Sequence, residues 1–169
     1  MTTLTIVCPD CRGGGALQRP DWSREEICDN CGGRGKIPRR VVVRVSRHPD
    51  TGSHWAAVRA VYGEEISLRT KDFPYGDDPV AAVKTLVDSV ESEGRDVVAV
   101  EAAGPEPVLI ALVQGLSVPV LRPVFRRDGG RVVVVGKDAG GRDIFDVERY
   151  ERLDVEMRPA IVGKPLNAA

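Results

Sequence analysis

The four cysteines of this chain fall in two dyads, Cys8-Pro9-Asp10-Cys11 and Cys28-Asp29-Asn30-Cys31, and each dyad runs on into glycines in the same register. Residues 8–15 (CPDCRGGG) and 28–35 (CDNCGGRG) both read C-x-x-C-x-G-x-G, so one loop is specified twice. Two thiolates separated by two residues grip an ion within one tight knuckle, and a second knuckle closes a tetrahedron. Gly13, Gly15, Gly33 and Gly35 permit the positive φ that turns backbone amides toward charged sulfurs. The expected ligand set is Cys8, Cys11, Cys28 and Cys31 around one zinc ion. Two disulfides are the alternative and need an oxidising compartment. Residues 1–7 have neither the basic start nor the apolar core of a signal peptide, so a cytoplasmic, reduced setting is expected.

The paired repeat resembles half of the cysteine-rich zinc domain of DnaJ-type chaperones, which carries four such repeats and two zinc ions. The resemblance covers residues 8–35 and implies metal ligation by the same four cysteines. It leaves the partner open, because small zinc proteins that bind RNA-binding proteins also use a paired repeat. His48-Pro49-Asp50 spells the J-domain triplet but lies between strand-like runs, where it reads as a turn.

Beyond the repeats, length and charge set limits. The 169 residues suffice for one ordinary domain plus a small appendage. Residues 1–39 read as the zinc module, 40–124 as an α/β domain, 125–153 as a β-hairpin extension and 154–169 as a tail. The module has few large apolar side chains, so metal ligation, about 10–16 kcal/mol in apparent terms for small fingers, is expected to supply most of its folding energy. With 24 basic and 25 acidic residues, the chain is not coated in positive charge for unspecific nucleic-acid binding. Residues 1–40 hold seven basic against five acidic side chains, a small positive bias. The most apolar stretch, 107–121, is broken by Gln114, Gly115, Ser117 and Pro119, which argues against a membrane span.

From Arg40 the hydrophobic period predicts strands at 41–47, 55–62 and 66–71, joined by turns at 48–53 and 63–65, as a three-stranded antiparallel meander. Asp78 as N-cap, Pro79 at the first position and Gly94 as stop bound a helix with its apolar stripe at Val80, Val83, Leu86 or Val87, and Val90. Residues 96–102 read as a central strand, 106–116 as a second helix and 118–121 as a strand, giving a parallel crossover. The resulting fold class is α/β (α+β). Its β-β-β-α-β-α-β order resembles the ribonuclease-H-like fold, with a C-terminal hairpin of strands 131–136 and 142–147.

That resemblance implies acidic metal ligands, and here the first strand offers none. Asp88, Glu91 and Glu101 are what remains for a metal-dependent nuclease, too few to hold two ions. The chain therefore reads as non-enzymatic. His48, Asp50 and His54 flank the first turn and are expected to be solvated rather than a second metal site. Arg39, Arg40, Arg44, Arg47, Arg59, Arg69 and Lys71 are the candidate partner-binding residues, with strand parity placing Arg44, Arg59 and Arg69 on one sheet face. Trp22 and Trp55 are the aromatics available for base stacking. The expectation is a zinc protein that docks on a nucleic acid or nucleoprotein complex. A protein-binding adaptor or chaperone-like module is the alternative, and a degenerate nuclease the third.

Overall fold

A computed structural model describes residues 5–18, 25–46, 48–72 and 78–154. Arg47, Trp22 and all but the first residue of the 154–169 tail lie outside the described residues. The amino-terminal module consists of four three-residue strands, Thr5–Val7 (β1), Ala16–Gln18 (β2), Glu25–Ile27 (β3) and Lys36–Pro38 (β4). β1 pairs with β4 and β2 with β3, both antiparallel. Adding the 20-residue offset between the repeats turns one pairing into the other, so the duplicated sequence folds as a duplicated structure.

Behind it lie Arg40–Val45 (β5), Gly52–Tyr62 (α1), Ser67–Lys71 (β6), Pro79–Ser92 (α2), Asp96–Ala102 (β7), Glu106–Gly115 (α3) and Val120–Phe125 (β8). The short strands Arg127–Asp128 (β9) and Arg131–Val132 (β10) form one small ribbon, and Val134–Lys137 (β11) and Asp143–Phe145 (β12) form another. The last strand, Val147–Leu153 (β13), returns to the main sheet. That sheet has the order β13-β8-β7-β5-β6, with β6, β5, β7 and β8 parallel and β13 antiparallel at the edge.

The antiparallel meander is therefore corrected. Residues expected as the second strand form α1, and β5 and β6 run parallel across it. Thr51 opens the helix with a capping box completed by His54. Trp55, Val58 and Tyr62, at spacings of three and four, then pack on one side of the sheet. A run of small and apolar residues fits period two as well as period 3.6, and the cap decides for the helix. With α1 between β5 and β6, the chain is doubly wound in the strand order 2-1-3-4, and the ribonuclease-H-like order of antiparallel strands does not form. His48-Pro49-Asp50 accordingly links a strand to a helix.

The later elements agree with their sequence signals. Asp78 accepts a 2.9 Å hydrogen bond from Ala81 N, Pro79 begins α2, and Gly94 turns out of it at φ 79°. Val83, Val87 and Val90 are buried against Val41, Val43 and Val45 of β5, with Leu109 and Leu112 of α3 in the same cluster. The opposite face buries Val42, Ala57, Val58, Ala99, Leu121, Val147 and Tyr150. Both faces of β5 are thus covered, as its nearly unbroken valine run requires. The carboxy-terminal hairpin forms as β11 and β12, but 147–153 does more than extend it: this segment is the fifth strand of the sheet.

Candidate metal centre and binding surfaces

The four cysteine sulfurs lie within 4.8 Å of one another, the one such ligand cluster among the described residues. Cys8 Sγ is 3.7 Å from Cys28 Sγ, and Cys11 Sγ is 3.6 Å from Cys31 Sγ. Sulfurs bound tetrahedrally at about 2.3 Å from one ion sit about 3.8 Å apart, whereas a disulfide needs about 2.05 Å. The spacing fits a metal ion such as zinc, and all four cysteines are free thiols.

The glycines act in reciprocal pairs. Gly15 N donates to Cys11 Sγ at 3.2 Å and Gly35 N to Cys31 Sγ at 3.3 Å. Cys28 N donates to Gly15 O and Cys8 N to Gly35 O, each at 2.9 Å. A Cβ on Gly15 would stand 2.2 Å from Gly33 O, and one on Gly35 would stand 2.2 Å from Gly13 O. The repeats approach backbone to backbone, a distance only glycine allows. At the knuckle tips Asn30 Nδ2 donates to Asp10 Oδ2 at 3.0 Å, another contact across the 20-residue offset.

The thiols are electrostatically unequal. Burial pushes Cys11 up, but the amides of Gly15 and Gly13 and the neighbouring thiols outweigh it and bring the group down to about 7. At Cys28 the Cys31 amide favours the thiolate, while burial and the adjacent thiols Cys8 and Cys31 override it and carry the group up to about 12. Metal binding must therefore displace protons. Arg95, buried where β7 begins, has its pKa lowered first by burial and then by Arg69; Glu93, Cys8 and Asp10 pull the other way. One of its amino groups donates to Ser67 Oγ.

The expected arginine face is not assembled. Arg44 is buried on β5, with Nε 3.2 Å from Glu101 Oε1 and Nη1 2.5 Å from the His48 carbonyl. Arg69 is in register with Val43, so it projects from the other side of the sheet and pairs with Glu93. Arg59 lies on α1, 3.4 Å from Glu64 and over the Trp55 ring at 5.6 Å. Arg39 pairs with Asp96 at 3.0 Å, and Arg40 reaches the Tyr62 carbonyl and stacks on its ring. Lys71 is half-buried at the end of β6.

The nuclease acids are equally dispersed. Glu101 is 2% exposed and accepts from Arg44 and from Tyr150 OH, the latter at 2.8 Å, while Asp88 and Glu91 are exposed on α2 across the sheet. Burial pushes the Glu101 carboxyl up against the pull of Arg44, and burial followed by the Glu101 charge pushes the Tyr150 phenol up.

His54 is buried rather than solvated. Its Nδ1 accepts from Thr51 N at 3.2 Å, and burial followed by the Arg44 charge drops its pKa to about 4. His48 Nδ1 lies 3.5 Å from Asp138 Oδ2.

Sequence reasoning missed Arg34, whose Nε donates to Cys31 O at 3.0 Å. It borders a groove of about 450 Å³ between the second knuckle and α1, shared with Asn30, Trp55, Arg59 and Glu64. Its place in the second repeat, three residues past Cys31, was the available signal. No helix among the described residues is long and apolar enough to cross a membrane. The chain matches no protein-family model, no curated protein and no solved structure in comparisons with each.

Proposed function

We propose that this chain is a docking protein whose cysteine module closes on one zinc ion, and whose partner is a single-stranded stretch of nucleic acid held in the groove between that module and α1. Four thiolates leave no open coordination position, so the ion orders the module instead of doing chemistry. The observation that carries the reading is the groove itself, lined by Arg34, by the partly exposed Trp55 ring and by Arg59, whose guanidinium lies 5.6 Å from that ring's centroid. Cations spaced about an aromatic plane suit phosphates on either side of a stacked base. Arg34 is already anchored through Nε to the knuckle carbonyl, so its guanidinium has little side-chain freedom left to lose on meeting a phosphate.

A polypeptide partner is the second reading, favoured by Val7 and Ile27, which are 59% and 71% exposed at equivalent positions before the two knuckles. Fluorescence anisotropy with single-stranded RNA and DNA oligonucleotides across a salt series separates the two. The expected result is binding that weakens with salt, at least tenfold poorer and with a shallower salt slope in Arg34→Ala/Arg59→Ala. Absence of salt-dependent binding, or binding untouched by the double substitution, overturns the nucleic-acid reading.

A further inference from the structure

The main sheet ends on β13, which pairs with β8 along one side and, among the described residues, with no strand along the other. Such an edge offers unpaired N–H and C=O groups to any extended chain that meets it. Val147 N is already given to Ser53 Oγ of α1 at 3.1 Å, so the free stretch is 148–152.

That stretch reads Glu148-Arg149-Tyr150-Glu151-Arg152. Its four charged side chains are 38–66% exposed, while Tyr150 between them is buried in the core. Reversed about Tyr150, the stretch exchanges every charge for its opposite: Glu148 changes places with Arg152, and Arg149 with Glu151. Charge of a single sign keeps like strands apart, and β6, at the far edge of the sheet, follows that rule with Arg69 and Lys71. β13 does not.

We infer that β13 pairs antiparallel with β13 of a second copy of this chain, about a two-fold axis at Tyr150, so that the two sheets become one. Residues directly opposite in an antiparallel pair share a face, and opposite charges there attract. In this register Glu148 meets Arg152 of the partner subunit and Arg149 meets Glu151 of the partner subunit, and the two-fold repeats both contacts. Arg149 and Glu151 do lie on one face, with Arg149 Nη2 2.9 Å from Glu151 Oε1. Glu148 is skipped by the β8 register, which leaves it without a neighbour on that strand. The smallest slip that keeps side chains on their own faces is two residues. It sets Arg149 against Arg149 of the partner subunit, or Glu151 against Glu151 of the partner subunit. The charge order thus fixes the register as well as the partner, and a two-fold pair uses each edge once, so assembly stops at two copies. This edge is separate from the groove of Arg34, Trp55 and Arg59, so either assignment can fail without the other.

The test is sedimentation velocity of the zinc-loaded full chain over a wide range of concentration, with a monomer–dimer equilibrium expected. Arg149→Glu and Glu151→Arg each set like charges across the strand pair and should weaken the dimer about tenfold or more. An equimolar mixture of the two variants restores opposite charges at every pair and should form a mixed dimer within about threefold of the parent's affinity. In the parent, which involves no change of sequence, exchange of the 148–152 amides should slow as concentration rises. A parent that is monomeric throughout or grows beyond two copies, a dimer indifferent to both substitutions, folded variants that stay apart when mixed, or 148–152 amides whose exchange ignores concentration overturns the assignment.

Discussion

Removing the Glu101 carboxylate tests whether the Arg44–Glu101–Tyr150 network is an energetically coupled unit. In Glu101→Leu, Arg44 keeps the His48 carbonyl but loses the carboxylate it pairs with, at a site where its side chain is 5% exposed. An uncompensated buried charge costs about 3–5 kcal/mol. Domain stabilities are about 5–15 kcal/mol, and a protein of this length loses about 2–4 °C of melting temperature per kcal/mol, so a fall of about 6–20 °C is expected. Tyr150→Phe removes a 2.8 Å hydrogen bond to the same carboxylate, a loss of about 1.5–3 kcal/mol. The double variant Arg44→Met/Glu101→Leu replaces both charges by apolar groups of similar volume and should recover to within about 1 kcal/mol of the parent. Urea unfolding followed by circular dichroism gives all the terms of this cycle. If the double variant is as unstable as the sum of Arg44→Met and Glu101→Leu, the pair is uncoupled and the reasoning is refuted.

Two further outcomes follow from the geometry. Gly35→Ala places a Cβ 2.2 Å from Gly13 O at φ 68°, whereas Gly32 at φ 55° has nothing within 4 Å of its Cβ position. Zinc release to a chromogenic chelator should therefore quicken at least tenfold in Gly35→Ala and less than threefold in Gly32→Asn, since asparagine tolerates the left-handed region. His54 has its pKa lowered from 6.5 to about 4, so below pH 6.5 the unfolded chain binds a proton that the folded chain refuses until about pH 4. Stability should fall across that window by about 1–2 kcal/mol, after discounting for solvent reaching the ring from the cavity it lines. His54→Gln, which retains a capping-box side chain, should flatten this component of the pH profile; an unchanged slope would show that His54 is not its source.

Legibility in the sequence tracked locality. The cysteine cluster was readable because its thiols, turns and amide donors lie within two eight-residue strings, and duplication repeats the information. α2 was readable for the same reason: Asp78, Pro79 and Gly94 mark its ends, and its valines recur at helical spacing. α1 was not, because 55–62 fits either period and its deciding feature is a capping box that uses a histidine. The arginines show the other limit. Arg44 and Arg69 look alike along the chain, yet register puts one beneath a crevice with Glu101 and the other on the opposite face with Glu93.

What the sequence determined alone was the pairing of thiols and the chemistry they suit, since soft anionic ligands at that spacing leave few other outcomes. The tertiary structure decided the strand directions, the recruitment of 147–153 to the sheet edge and the convergence of Arg44, Glu101 and Tyr150. Those depend on which distant segments share the same buried surface, and burial is non-directional, so no local pattern encodes the partner.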